Sequence, residues 1–295
     1  MAERNSISDE QYRLLEANRD AIESVTRRTH VYGATDRHQL DVYIPPNNLN
    51  ASSQDLPPVL VFFYGGGFTH GSRVWVPDHS LVHANMGAYF ATKGIVAVIP
   101  DYRLVPTVTY PGGTEDIRNA IDWVIQNLAN VANCERVFLM AHSAGGIHLS
   151  SFLLSPLYFD AQPTHRTGIR GAILVGVPYE IPVGNKVAAN MHNAAQLYYC
   201  GVDNIAKQQP MGLLRRAEET WVTGLPPIRI LVAARDPRHL VSSAKTFSNL
   251  WEKKGGRVSS GTLDGHDHLS PIFSPFSGQR EEWANDVINW IFATE

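Results

Sequence analysis

Cysteine is nearly missing from this 295-residue chain; Cys134 and Cys200 are the only two. They allow one bridge by arithmetic but no disulfide framework, so a reducing compartment fits better than a secreted scaffold. An excess of positive charge is also lacking. The formal net charge is −3 and the isoelectric point is near 6.5, which leaves no electrostatic footprint for nucleic acid or an anionic membrane. No apolar run approaches the length of a membrane span, and the first thirty residues hold no apolar segment of the signal-peptide kind. In that light the sequon Asn50-Ala51-Ser52 reads as chance. These absences predict a cytoplasmic protein with no membrane span and no nucleic-acid partner. Internal repeats and low-complexity tracts are missing too.

What is present is a core. At 44% hydrophobic the chain can bury a full interior, and a single domain over residues 1–295 is expected. Ser8-Asp9-Glu10-Gln11 reads as a capping box opening a helix over residues 8–25. Its apolar positions, Leu15, Ile22 and Val25, are sparse enough to suggest a loose cap. Strands are expected near 28–33 and 39–44, then at 59–64, 95–100, 136–141, 171–176, 228–233 and 257–263. Between the later strands run helical faces: Ile117, Ile121, Val124, Leu128; then Leu240, Ala244, Phe247, Trp251; then Trp283, Val287, Trp290, Ile291. Strand and helix in alternation predict an α/β protein, a mostly parallel sheet with helices on both faces. The rhythm breaks over residues 180–226, a helical stretch rich in Asn, Gln, Met and Tyr. Its insertion after the sixth strand predicts a helical lid over the catalytic edge.

The chemistry-bearing motifs stand at strand ends. Ala141-His142-Ser143-Ala144-Gly145 is a nucleophile elbow of the G-x-S-x-G type, with alanine in the first glycine's place. Only small residues fit beside a serine on so sharp a strand-to-helix turn. A serine hydroxyl needs a base, and the base needs an orienting acid. Asp236 follows the apolar run Ile230–Ala233, and His266 and His268 follow Val258–Leu263. Ser…Asp…His is the order of the α/β-hydrolase fold. A further strand ends in Phe63-Tyr64-Gly65-Gly66-Gly67-Phe68, where glycines let backbone amides point into a cavity.

Taken together these motifs resemble the α/β-hydrolases of the carboxylesterase and hormone-sensitive-lipase kind. Tyr64-Gly65-Gly66-Gly67-Phe68 is similar to the oxyanion loop of type-B carboxylesterases, where most small members carry H-G-G-G. Asp101-Tyr102-Arg103-Leu104-Val105-Pro106, with Tyr110-Pro111 and Asp116, resembles a stretch of the hormone-sensitive-lipase and arylformamidase branches. The resemblance implies Ser143 as nucleophile and Asp236 as orienting acid. His268 is favoured as the base because Asp267-His268-Leu269 is similar to the D-H-F of relatives, and His266 stays as the alternative. Oxyanion donors would be the amides of Gly66, Gly67 and Ala144, with Tyr64, Phe68, Tyr179 and Tyr198 expected around the substrate and Trp75 and Tyr199 among the apolar residues near it. Asp101, Tyr102, Arg103 and Asp116 are expected to be structural.

The function so implied is a serine hydrolase cleaving small to medium apolar carboxylic esters, or a lactone, through an acyl-enzyme. An arylformamidase-type amidase would use the same machinery. A non-catalytic ligand receptor on a hydrolase fold is the reading from another class. His266-x-His268 has the spacing of a metal pair, but no second cluster accompanies it. The expectation is therefore no metal and no cofactor. A small-molecule ester is the expected partner. A homodimer through the terminal helix occurs among relatives, although no residue here argues for one.

Overall fold

The computed structural model describes residues 2–46, 56–75, 79–182 and 189–294. Eight strands form one sheet: β1 Arg27–Val31, β2 Gln39–Tyr43, β3 Pro58–Phe63, β4 Val96–Pro100, β5 Asn133–His142, β6 Ile169–Val175, β7 Ile228–Ala233 and β8 Val258–Leu263. Their spatial order is β1-β2-β4-β3-β5-β6-β7-β8. β1 and β2 pair antiparallel, β2 joins β4 antiparallel, and all pairs from β4 through β8 are parallel. The parallel strands explain their own composition. β3 is buried along its whole length, as a central strand covered on both faces must be. Alternate residues serve opposite layers. Val59, Val61 and Phe63 join one apolar cluster, while Leu60, Phe62 and Tyr64 join the other.

Helices Gly112–Asn127 and Arg238–Lys253 cover the first layer through Ile117, Ile121 and Val124, and through Ala244, Phe247 and Trp251. Helices Ala84–Thr92 and Glu282–Ala293 cover the second through Met86 and Phe90, and through Trp283, Val287 and Ile291. The expected faces are therefore the buried ones. Trp290, placed on the buried face by spacing, is only partly covered, and Ile288 is buried beside it.

Two expectations change. The N-terminal helix runs Ala2–Ala17 and a second runs Arg19–Glu23, so Ser8 lies inside a helix rather than at its cap. The break falls at Asn18, whose side-chain amide donates to the Leu14 carbonyl at 3.0 Å. Nor is this segment loose. Leu15, Ile22 and Val25 are 0%, 2% and 6% exposed, and burying each contributes roughly 1.5–3 kcal/mol. Three well-placed side chains anchor what a sparse pattern made look unattached. Over 180–226, helices Ala189–Tyr198, Val202–Gln208, Pro210–Arg216 and Glu219–Thr223 are present, while residues 183–188 and the sequon at Asn50 lie outside the described residues. Ile205, Met211, Leu214 and Val222 belong to the first apolar layer. No helix among the described residues is long and apolar enough to cross a membrane.

Candidate active site

β5 ends at His142, and the next helix, Ala144–Leu153, begins one residue after Ser143. Ser143 makes that turn with φ +51 and ψ −123, a left-handed conformation costly for a residue with a side chain. The small neighbours are forced by contact. A Cβ on Gly145 would stand 2.4 Å from the Tyr64 carbonyl oxygen, and one on Gly146 would stand 2.1 Å from a Val177 methyl. The strain raises the Ser143 hydroxyl above the sheet edge, and the helix start leaves the Ala144 amide without an intrahelical acceptor.

Three side chains from three strand ends meet here. His268 Nε2 is 3.0 Å from Ser143 Oγ, and His268 Nδ1 is 2.7 Å from Asp236 Oδ1. A carboxylate only accepts, so Nδ1 carries the proton and Nε2 presents its lone pair to the serine. Asp236 is held in a turn after β7. Its amide donates to the Ala233 carbonyl, and its other carboxylate oxygen accepts the Ala233 N–H at 2.8 Å. The His268 loop is tied back to the elbow by His142, whose Nε2 donates to the His268 carbonyl oxygen at 2.8 Å. His266 faces elsewhere. Its ring nitrogens lie 2.9 Å from Ser270 Oγ and 3.0 Å from the Arg280 carbonyl oxygen. The His-x-His pair thus diverges, and Asp267 caps the short helix that follows by accepting from the Leu269 and Ser270 amides. His266→Ala should therefore keep turnover within about threefold while losing about 1–2 kcal/mol of stability from its hydrogen bonds. Steady-state rates and urea melts on the same preparation check both.

The glycine loop lies opposite. Gly66 has φ +136 and Gly67 φ +59, and a Cβ on Gly67 would meet nothing within 4 Å. Among the described residues neither amide donates to another group. Tyr64 braces the loop from below, at 0% exposure. Its hydroxyl donates to Asp101 at 2.6 Å and accepts from Arg37 at 2.8 Å. Its carbonyl accepts from Tyr102 at 2.8 Å. Arg73 pairs with Asp101 and Asp41, which carries the network to β2. Beside it the Arg103 guanidinium grips Asp116, which is fully buried and also receives His38 Nε2 at 3.0 Å.

Ser143 and His268 border a cavity of about 550 Å³, with Gly65, Gly66 and Gly67 along one side. None of Tyr64, Phe68, Tyr179 or Tyr198 lines it. Phe68 and Tyr198 stack on each other at 4.8 Å, and Tyr179 stacks on Phe247 at 4.0 Å; all four rings are interior packing. Nor does any described residue of the four helices between 189 and 223 reach the cavity. Trp75, expected near the site, does line it, with His83 and His142 and with Pro237, Leu240, Leu269 and Ile272. Pro237 directly follows Asp236 and Leu269 directly follows His268, a signal the sequence carried. No Asp, Glu, Lys or Arg lines the cavity among the described residues.

Three buried imidazoles stay neutral. Desolvation pushes His83 and His148 down to about 4 and His142 down to about 3. Unfolding returns each to about 6.5, so the unfolded chain binds more protons between those values. Stability should fall as pH drops from about 6.5 and level off below each folded value, at up to roughly 1.4 kcal/mol per pH unit per group. Denaturant midpoints from pH 7 to 4.5 measure this. His148→Phe, which also removes an Nδ1 atom without a partner, should reduce the slope by about a third.

Comparisons with known proteins accord with this architecture. A family profile described as alpha/beta hydrolase fold matches residues 60–271. Carboxylesterase 20 of Arabidopsis thaliana is 34% identical over 289 residues, covering 86% of this chain and 81% of that protein. An isoprenylcysteine alpha-carbonyl methylesterase of the same plant is 25% identical over 284 residues; 91% of this chain matches, and it spans only 62% of that relative's length. The solved carboxyl esterase 2 of the fungus Tuber melanosporum shares the fold at a TM-score of 0.72 with 17% identity, covering 95% of this chain and 98% of that one. With the profile running from β3 to the residues just beyond His268, the chain belongs to the α/β-hydrolase fold family, as a carboxylesterase-like member.

Proposed function

We propose that this protein is a serine-dependent carboxylic ester hydrolase acting on uncharged, small to medium apolar esters through an acyl-enzyme on Ser143. The observation that carries the reading is the hydrogen-bonded chain from Asp236 through His268 to Ser143, opening on a cavity that no Asp, Glu, Lys or Arg lines among the described residues. In the proposed reaction Ser143 Oγ attacks the ester carbonyl carbon as its proton passes to His268 Nε2. Negative charge moves to the carbonyl oxygen, where the Gly66, Gly67 and Ala144 amides would receive it. Each such donor is worth on the order of a hundred- to a thousand-fold in rate. Collapse breaks the bond to the alcohol, which leaves with the proton from Nε2. A water molecule then gives its proton to the same nitrogen and attacks the acyl carbon; the bond to Ser143 Oγ breaks, Oγ takes the proton back from Nε2, and the carboxylic acid is released. Asp236 steadies the imidazolium formed in both halves. The relatives' names, carboxylesterase and methylesterase, support an ester over an amide.

Purified protein is expected to hydrolyse p-nitrophenyl acetate, butyrate or octanoate and to take up a fluorophosphonate label that Ser143→Ala abolishes. Failure on all three esters together with an unlabelled Ser143 would overturn the reading.

A further inference from the structure

His83 stands just before the helix Ala84–Thr92, 4% exposed and with φ +73. Its Nδ1 lies 2.7 Å from the Ser72 carbonyl oxygen. A carbonyl can only accept, so the proton sits on Nδ1. The imidazole lies between Tyr64, at 4.9 Å and 16° between planes, and Trp75, at 5.7 Å and 28°. The stack fixes the plane of the ring, and the bond to Ser72 fixes its rotation within that plane. Nε2 is therefore held in one direction. Burial keeps the ring neutral, so Nε2 bears a lone pair and no proton. It has no hydrogen-bond partner among the described residues. The open space His83 borders is the cavity that holds Ser143. Nothing in the proposed hydrolytic steps uses this acceptor.

We propose that His83 is a specificity-determining residue whose Nε2 accepts a hydrogen bond from a hydroxyl or amide N–H carried by the ester substrate. The inference rests on the ester hydrolase reading and narrows it to esters that bear a neutral donor away from the scissile bond. An ammonium group is disfavoured, because no carboxylate lines the cavity among the described residues to replace its water. A substrate with a methyl group in the donor's place leaves the Nε2 lone pair unpaired, and sites built around such an acceptor discriminate against the analogue that cannot donate.

The test uses pairs of aryl esters identical except for a hydroxyl in place of a methyl, moved stepwise along the acyl chain and the alcohol. At one position or more, the hydroxyl partner should show about tenfold higher kcat/KM, carried by KM. The ratio within that pair should collapse towards one in His83→Phe, which keeps the aromatic stack but has no acceptor, and recover in part in His83→Gln. Should the His83 variants fail to fold, Ser143→Ala with His83 intact provides a second measurement, since calorimetric binding of the same pairs should show the same preference. Nitrogen NMR of the labelled imidazoles should find the proton of His83 on Nδ1. A hydrolase that turns over every pair with ratios near one would overturn the inference and leave the hydrolase reading standing. So would a His83 protonated on Nε2. A protein that hydrolyses none of the esters, yet binds the hydroxyl partners preferentially, would sink the hydrolase reading and spare the acceptor.

Discussion

Ser143→Ala should lower kcat by about 10⁴- to 10⁶-fold on any ester the protein turns over, with KM nearly unchanged. His268→Ala should cost as much, and Asp236→Asn about 10⁴-fold. The geometry explains the difference. In the proposed mechanism, removing the hydroxyl or the imidazole deletes the nucleophile or its proton acceptor outright. The asparagine keeps the shape of the Asp236 turn but can offer Nδ1 of His268 an N–H, which favours the tautomer with its proton facing Ser143. The double variant Ser143→Ala/His268→Ala should be no slower than either single one, since the 3.0 Å contact between the two side chains makes them one functional unit. Residual rate above the uncatalysed reaction would report what the amides of the glycine loop contribute. Single-turnover measurements on a p-nitrophenyl ester, comparing wild type and the four variants, check the whole pattern. Equal and small losses in all of them would remove Ser143 from the reaction.

The largest effect on stability should come from Asp116→Ala. Asp116 is fully buried and takes hydrogen bonds from the Arg103 backbone amide, the Arg103 guanidinium and His38. Its removal strands a guanidinium that is only a quarter exposed. Breaking one side of such a pair costs about 3–5 kcal/mol, whereas replacing both sides by apolar residues costs far less. The single variant should therefore lose about 5–10 °C in Tm. Arg103→Met/Asp116→Leu should recover at least half of that loss. A thermal melt decides it, and a single variant within a degree of wild type would show the pair to be passive.

How far the sequence could be read depended on whether a property was local. Ser143, Asp236 and His268, which the fold brings into contact, could be picked out because each stands in a motif written in adjacent residues: Ala141 to Gly146, Asp236 before Pro237, Asp267-His268-Leu269. The inner strands were legible because each is a short apolar run bounded by turn residues; β2, whose Asp41 suggested alternation, is in fact buried from Leu40 to Tyr43, much as β3 is throughout. The cavity walls were not, because they depend on where turns send side chains. Tyr64 and Phe68 flank the glycines, yet β3 directs Tyr64 to the second layer, while Phe68, at φ +71, turns towards Tyr198. Aromatic character near a motif pointed to a pocket, and packing won. Pro237 and Leu269, next to Asp236 and His268 in the chain, do line the cavity, whereas Asp267 on the other side of His268 caps the helix that follows. For the choice between His266 and His268, chain pattern favoured one, and only the three-dimensional arrangement gives the other its own occupation with Ser270 and Arg280.

The Tyr64 brace has a consequence for anyone transplanting substrate preference between relatives. Where other loops of this kind carry histidine, this one carries a phenol long enough to rest on Asp101 and Arg37. A borrowed H-G-G-G segment would arrive without its footing and leave that carboxylate and guanidinium facing a gap. The loop and its supports form a cassette, and a graft that moves the glycines alone exchanges the bowl without the table beneath it.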